Sequence, residues 1–352
     1  MAGPAGRVSR QFEDLPLVMP LLPTGAWVRS AEGTRDICAA LDLGTNNCRL
    51  LIARRQGDGF RIIDAFSRIV RLGEGLATTG RLSEAAMERT LGALRVCAGK
   101  VARSGACRAR YVATEACRRA ANCGDFLDRV RRDTGIGIEI ISSDEEARLV
   151  VTGCAALLDP ALPHGIVFDI GGGSTELAWI EIEGAPPRPR VRDYVSVPHG
   201  VVTFADRYGG HAVSEATYEA MVEEIHAALV PFARGHDTTA LIAANRIQLL
   251  GSSGTVTTLA SVHLDLPRYD RSRVDGSTLR FGDIERISRR LVALSWEKRA
   301  AHPCIGDERA DLVLAGCAIL EAICRLWPVG CLVVADRGIR EGILLGLFQA
   351  AA

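Results

Sequence analysis

Lysine is almost missing from this 352-residue chain: only Lys100 and Lys298 occur, so arginine carries nearly all of the positive charge. An excess of either sign is missing too, since 42 Lys+Arg meet 42 Asp+Glu for a net charge of zero. Proteins that live on nucleic acid or on anionic membrane usually carry a positive surplus, so both are set aside as main partners. The eleven cysteines contain no Cys-x-x-Cys spacing and no Cys/His cluster, which excludes a sequence-local zinc site. Most lie in apolar runs (ICAALDLG, LAGCAIL, VGCLVV), where a thiol packs as a small hydrophobe. They read as reduced thiols of a cytoplasmic protein. No apolar run reaches the ~18 residues of a membrane-spanning helix. The stretch LPLVMPLLPTGAWV is broken by Pro16, Pro20 and Pro23 and follows Glu13 and Asp14, unlike a signal peptide. Residues 1–35 are therefore expected to form a flexible arm. No G-x-x-x-x-G-K-[ST] occurs and no G-x-G-x-x-G opens a helix after a strand, which excludes the P-loop and Rossmann designs.

What is present is an ordinary apolar fraction of 48% on a length that exceeds one hydrophobic core, so two domains are expected. From Asp36 the chain alternates strands and helices. ICAALDLG, CRLLIARR and FRIIDAFSRIVRLG read as three successive strands. Ser83 caps an Ala-rich helix, ARYVATEA is a strand leaving on a loop, and DFLDRVRRDTG is a helix stopped by Gly135. IGIEIIS is the next strand, and SDEEARLVVTGCAALL is a helix with an acidic first turn. The same grammar restarts at Gly165, where IVFDIGGGSTELAWIEI is again strand, glycine turn and strand. Aligning the turns sets Asp42-Leu43-Gly44-Thr45 against Asp169-Ile170-Gly171-Gly172. Seven residues after each Asp stand Arg49 and Glu176. This repetition predicts two similar α/β domains with a cleft between them. RIQLLGSSGTVTTLASV and GCLVVADRGIREGILLGLF complete the pattern as strand–loop–helix units.

Three Gly-rich loops follow apolar strands: DLGTNN, DIGGGST and GSSGT. Glycine lets the backbone approach a ligand closely, and successive N–H groups can converge on an anion. Thr45, Asn46, Ser174, Thr175, Ser253 and Thr255 add side-chain donors. One such loop is usually just a turn; three with matched donors predict a phosphate-binding cleft. Asp42 and Asp169 end their strands beside the glycines, where carboxylates can hold Mg²⁺ directly or through water, and Glu176 can share that task.

The motifs LDLGTNNCRLLIA, VATEACRRAAN, IEIISSDEEARLVVTG, FDIGGGSTEL, GSSGT and DRGIREGIL occur in this order. Together they resemble the exopolyphosphatase / guanosine pentaphosphate phosphohydrolase (Ppx/GppA) family. The resemblance implies an α/β fold of two RNase H-like domains, that of the actin, sugar kinase and heat-shock ATPase superfamily. It implies hydrolysis of the terminal phosphate of inorganic polyphosphate or of pppGpp, with Mg²⁺ or Mn²⁺. It places a first actin-like domain at 36–150, onto which the segment 336–352 packs back as a helix, and a second at 151–335. By position, Glu146 matches the catalytic glutamate that activates water, and Arg118 matches a phosphate-contacting arginine. Asp169 and Glu176 match the metal-associated carboxylates. Asp42, Gly44, Thr45 and Asn46 match the first phosphate loop. Gly171, Gly172, Gly173, Ser174 and Thr175 match the second, and Ser253, Gly254 and Thr255 the third. Glu145 competes with Glu146 but points about 100° away on a helix. The acidic triplet Asp144-Glu145-Glu146 would also suit a helix N-terminus without any catalysis.

Larger relatives continue into an HD-type helical domain and a further C-terminal region; this chain resembles the short, two-domain form, expected as a homodimer. Arg337 stands where relatives often have Gly after the Asp, as a cation near the cleft or a helix cap. A kinase of the same superfamily is the first competing reading. A non-catalytic nucleotide sensor is the second, and a water-activating glutamate beside metal carboxylates speaks against it.

Overall fold

A computed structural model describes residues 36–350, so the arm expected at 1–35 lies outside the described residues. The first apolar run is β1 (Ile37–Leu43), and β2 (Asn47–Gln56) and β3 (Gly59–Ile69) follow as a meander. Then come β4 (Arg108–Ala113) and β5 (Glu139–Ile140). These five form one sheet in the order β3-β2-β1-β4-β5. β1 is buried on both faces because it is central, which is why it reads as a continuous apolar run. The exposed edge strand β3 carries Arg61, Asp64, Ser67 and Arg68 instead.

The second unit repeats the plan. β6 (His164–Ile170), β7 (Thr175–Glu183) and β8 (Arg188–Val197) form its meander, followed by β9 (Ile247–Ser252), β10 (Thr278–Arg280) and β11 (Cys331–Ala335). The order is β10-β11-β9-β6-β7-β8. In each sheet the leading strand runs antiparallel to its hairpin partner and parallel to a later strand, β4 beside β1 and β9 beside β6. The spacing noted in the sequence becomes register: Asp42 faces Arg49 and Asp169 faces Glu176. This is the duplicated α/β architecture of the actin-like superfamily.

The helix Ser143–Cys154 and the helix Ile339–Gln349 lie between the sheets, their apolar side chains meeting Ala40 and Leu51 of one and Val167 and Ile180 of the other. Their backbones touch. A Cβ on Gly153 would stand 2.1 Å from the Gly338 carbonyl oxygen, and one on Gly342 would stand 2.1 Å from that of Leu149. Only glycine permits this crossing. The C-terminal helix also packs on β1. The helix Glu84–Ser104 covers the outer face of the first sheet, capped by the Ser83 hydroxyl on the Ala86 N–H and ended by Gly105 at φ 68°.

Two local expectations change. The strand expected over IGIEIIS pairs only at Glu139 and Ile140, because Ile136 and Ile141 on either side turn into the interior. The segment after β4 is the short helix Glu115–Arg119 and not a loop, its first turn closed by the Cys117 and Arg118 amides on the Thr114 carbonyl. All eleven cysteines are free thiols. Among the described residues no helix is long and apolar enough to cross a membrane.

Candidate active site

The strand ends of β1 and β6 meet at a cleft that opens to solvent. The first two phosphate loops build it in the same way. In each, the amide of the first glycine closes a turn: Gly44 N–H donates to the Asn47 carbonyl and Gly171 N–H to that of Ser174, both at 2.9 Å. Their carbonyls are turned outward. The Asn46 carbonyl accepts from Val70 and Arg71, that of Gly171 from Val201, and that of Gly172 from Val202. Among the described residues the amides of Thr45, Asn46, Gly172, Gly173 and Ser174 donate to no backbone carbonyl. Outward carbonyls and uncommitted amides make a backbone anion nest. The loops also touch each other, since a Cβ on Gly172 would lie 3.0 Å from the Asn46 nitrogen.

The third loop serves differently. Ser253 caps the helix Gly254–His263 by accepting the Val256 N–H at 3.0 Å, which leaves its O–H free to donate, and it stands outside the cleft lining. Gly254 and Thr255, in the first turn, reach the cleft wall, where the positive end of the helix favours an anion. Thr175 lies behind the nest, its hydroxyl donating to the His199 carbonyl at 2.7 Å.

Glu146 comes from the first turn of the helix Ser143–Cys154, whose cap is Ser142, and its side chain faces the nest while the residue is 5% exposed. Arg118 holds it. The Nη1 atom donates to Glu146 Oε2 at 2.8 Å and to the Ile141 carbonyl at 3.0 Å, while Nη2 donates to Glu115 Oε2 at 3.1 Å. Arg118 itself stands behind Glu146 and does not line the cleft. Burial first, and then the neighbouring Glu176 carboxylate, push the Glu146 carboxyl well above its ordinary range despite Arg118. Glu145 is engaged elsewhere, accepting from Arg110 at 2.6 Å. The helix geometry that set the two glutamates apart therefore sends them to different partners.

Asp42 and Asp169 both line the cleft. Burial raises both carboxyls. For Asp169 burial and the nearby Glu176 charge outweigh Arg49 and bring it to about 8. Glu176 is 2% exposed behind them and accepts from the Ser196 hydroxyl at 2.8 Å. Two buried oxygens of cleft-lining residues, Asp42 Oδ1 and Asn46 Oδ1, have no hydrogen-bond partner among the described residues. Nor do the described residues hold a group of three His, Cys, Asp or Glu side chains fit to enclose an ion. An orphaned carboxylate oxygen beside a second strand-end carboxylate, with oxygen donors only, fits a hard divalent cation that keeps most of its water and takes phosphate oxygens.

Sequence reasoning did not single out Arg49 or Arg309 as site residues. Both line the cleft, and neither makes an ion pair among the described residues. Burial and then Arg49 lower the Arg309 guanidinium from its usual value, and its Nη1 donates to Thr258 Oγ1 at 3.2 Å. Arg49 was visible as the register counterpart of Glu176. Arg309 carries no local signal in IGDERADL. Arg337 resolves into a structural pair, its Nε on Asp275 Oδ2 at 2.8 Å, and does not line the cleft.

An anion nest between duplicated actin-like units, with a buried carboxyl facing it, defines a protein of phosphate chemistry. The sequence profile of the Ppx/GppA phosphatase family matches residues 51–351, and the chain belongs to that family. Solved structures agree. An exopolyphosphatase-like protein is 28% identical with a TM-score of 0.80, covering 90% of this chain and 99% of its own. An exopolyphosphatase from Cytophaga hutchinsonii is 25% identical with a TM-score of 0.78, over 89% and 98% of the two chains. The Aquifex aeolicus PPX-GPPA enzyme is 31% identical with a TM-score of 0.72, over 88% and 99%. The chain is thus a member of a phosphatase family, and its hydrolytic class follows from that membership.

Proposed function

We propose that the chain is an exopolyphosphatase, removing the terminal phosphate of inorganic polyphosphate by attack of water on its phosphorus. The observation that carries this reading is Glu146: a buried carboxyl of raised proton affinity, oriented by Arg118 and aimed at an anion nest. A carboxyl so placed accepts a proton from water more readily than an exposed one. Phosphoryl transfer asks for positioning and charge stabilisation more than for covalent help.

In this reading the amides of Thr45, Asn46, Gly172, Gly173 and Ser174 hold the terminal phosphoryl group. Glu146 orients the attacking water and takes its proton. Arg118 keeps Glu146 in place and offsets the charge of Glu176. Arg49 and Arg309 meet the anionic chain beyond the terminal group. Asp42 and Asp169 would hold Mg²⁺ or Mn²⁺, with Glu176 behind them, and the ion would supply charge neutralisation at the phosphate oxygens. The cytoplasmic setting and a homodimer remain part of the proposal.

The alternative substrate is pppGpp, whose terminal phosphate has the same anionic neighbours and suits the same nest. Phosphate release from short polyphosphate, long polyphosphate, pppGpp and ATP in parallel separates the readings. Preferential release from polyphosphate supports the exopolyphosphatase. Selective turnover of pppGpp moves the protein to the alternative, and ATP binding without release from any of the four supports a kinase or sensor.

A further inference from the structure

The segment after β3 contains a residue whose backbone and side chain disagree about cost. Arg71 sits at φ 47°, in the left-handed region that favours glycine. Glycines stand close by at 73 and 75, so the chain has used them where it needed them. A long cationic side chain kept at such a position is kept for what it reaches.

It reaches the other unit. Nη1 meets Asp311 Oδ2 at 2.9 Å, and Nη2 donates to Asp311 Oδ1 at 3.2 Å and to the Glu308 carbonyl at 3.3 Å. This is a two-pronged guanidinium–carboxylate fork, the geometry in which an ion pair holds orientation as well as charge. Glu308 and Asp311 flank Arg309, which lines the cleft. On its own side Arg71 is tied to the first phosphate loop. The Arg71 and Val70 amides donate to the Asn46 carbonyl at 3.0 and 2.8 Å, and the Gly73 amide donates to that of Thr45 at 2.9 Å. Arg89 steadies this strip by donating to the Val70 carbonyl at 3.0 Å. The side chains of Arg71 and Asp311 are 32% and 18% exposed, so solvent screens the fork only in part.

We infer that Arg71 is a positioning residue: through Asp311 and Glu308 it fixes Arg309 and, through Asn46, locks that segment to the first phosphate loop. One residue thus ties the two units together, its side chain reaching Asp311 and Glu308 and its backbone amide holding the Asn46 carbonyl of the nest. The inference rests on the proposed function for its kinetic readout but not for its binding readout.

The test compares Arg71→Gly, Arg71→Ala and Asp311→Asn with the unaltered protein. Glycine at 71 removes the fork and the backbone strain together, so its melting temperature should exceed that of the alanine variant. KM for tripolyphosphate should nonetheless rise about tenfold in all three variants, the scale of one lost charged hydrogen-bonding group, with kcat changed less than about threefold. A loss of affinity in the better-folded glycine variant separates positioning from simple destabilisation. KM within twofold of the unaltered protein in Arg71→Gly and Asp311→Asn would overturn the inference, as would a loss confined to kcat. If the unaltered protein releases no phosphate, the proposed function fails on its own. Calorimetric binding of tripolyphosphate then decides the latch, with about tenfold weakening expected and unchanged affinity overturning it.

Discussion

Replacing Glu146 by glutamine removes one negative charge and almost no volume. Arg118 loses a carboxylate partner at 2.8 Å but keeps Glu115 and the Ile141 carbonyl, so it does not become an orphaned buried cation. A neutral amide is also easier to bury than a carboxylate whose proton affinity burial has already raised. The variant should therefore fold with an unchanged or higher melting temperature. Its chemistry should suffer, because glutamine cannot take a proton from water. General-base catalysis is worth roughly 10²–10⁴ in rate, or about 3–5 kcal/mol of barrier. Phosphate release from tripolyphosphate should fall by that factor while its affinity, measured by calorimetry, stays within a few-fold or tightens as negative charge leaves the cleft. Full activity in Glu146→Gln would refute the role of the base. Loss of activity together with loss of binding would show that Glu146 shapes the nest instead.

Three further expectations follow from the same geometry. A methyl group at Gly172→Ala would press within 3.0 Å of the Asn46 nitrogen, so the two loops must part. Tripolyphosphate affinity should drop more than tenfold for a stability cost of about 1–3 kcal/mol, and unaltered binding would contradict the nest. The Asp169 carboxyl, raised to about 8, binds a proton in the folded metal-free protein where the unfolded chain has lost it, so stability should fall as pH rises from about 4 to 8. Asp169→Asn should flatten that slope, gain ~1–2 kcal/mol at pH 8 in chelator, and abolish Mg²⁺-dependent phosphate release; an unchanged slope in thermal melts would place the titration elsewhere. Burial raises the Glu146 carboxyl, which must be ionised to take a proton from water, so kcat/KM should decline as pH falls through that raised pKa, whereas a profile flat to pH 5 would speak against its role as the base.

Much of this arrangement is legible in the sequence. The duplication was legible because a hairpin of fixed length turns sequence spacing into register, so Asp42 and Arg49 face each other as Asp169 and Glu176 do. The nest was legible because glycines are needed where loops 44–46 and 171–174 touch backbone to backbone. Glu146 was separable from Glu145 by the 100° turn of a helix, although its catalytic assignment came from family resemblance and not from its local pattern. Arg309 was not legible, since it enters the cleft on a segment held by contacts from distant parts of the chain, among them Arg71. Ser253, matched by position to a phosphate donor, is also a helix cap: its oxygen accepts the Val256 N–H while its O–H stays available to donate, and sequence pattern alone does not separate the two tasks. The helix carrying Arg118 was missed because five residues give too little periodicity to see.

The central claim is that water attacks the terminal phosphorus, and hydrolysis in ¹⁸O-labelled water tests it most directly. With polyphosphate as substrate, each released orthophosphate should carry one ¹⁸O atom and the shortened chain none. Label in the remaining chain, or transfer of the phosphoryl group to an acceptor without labelled orthophosphate, would contradict the account.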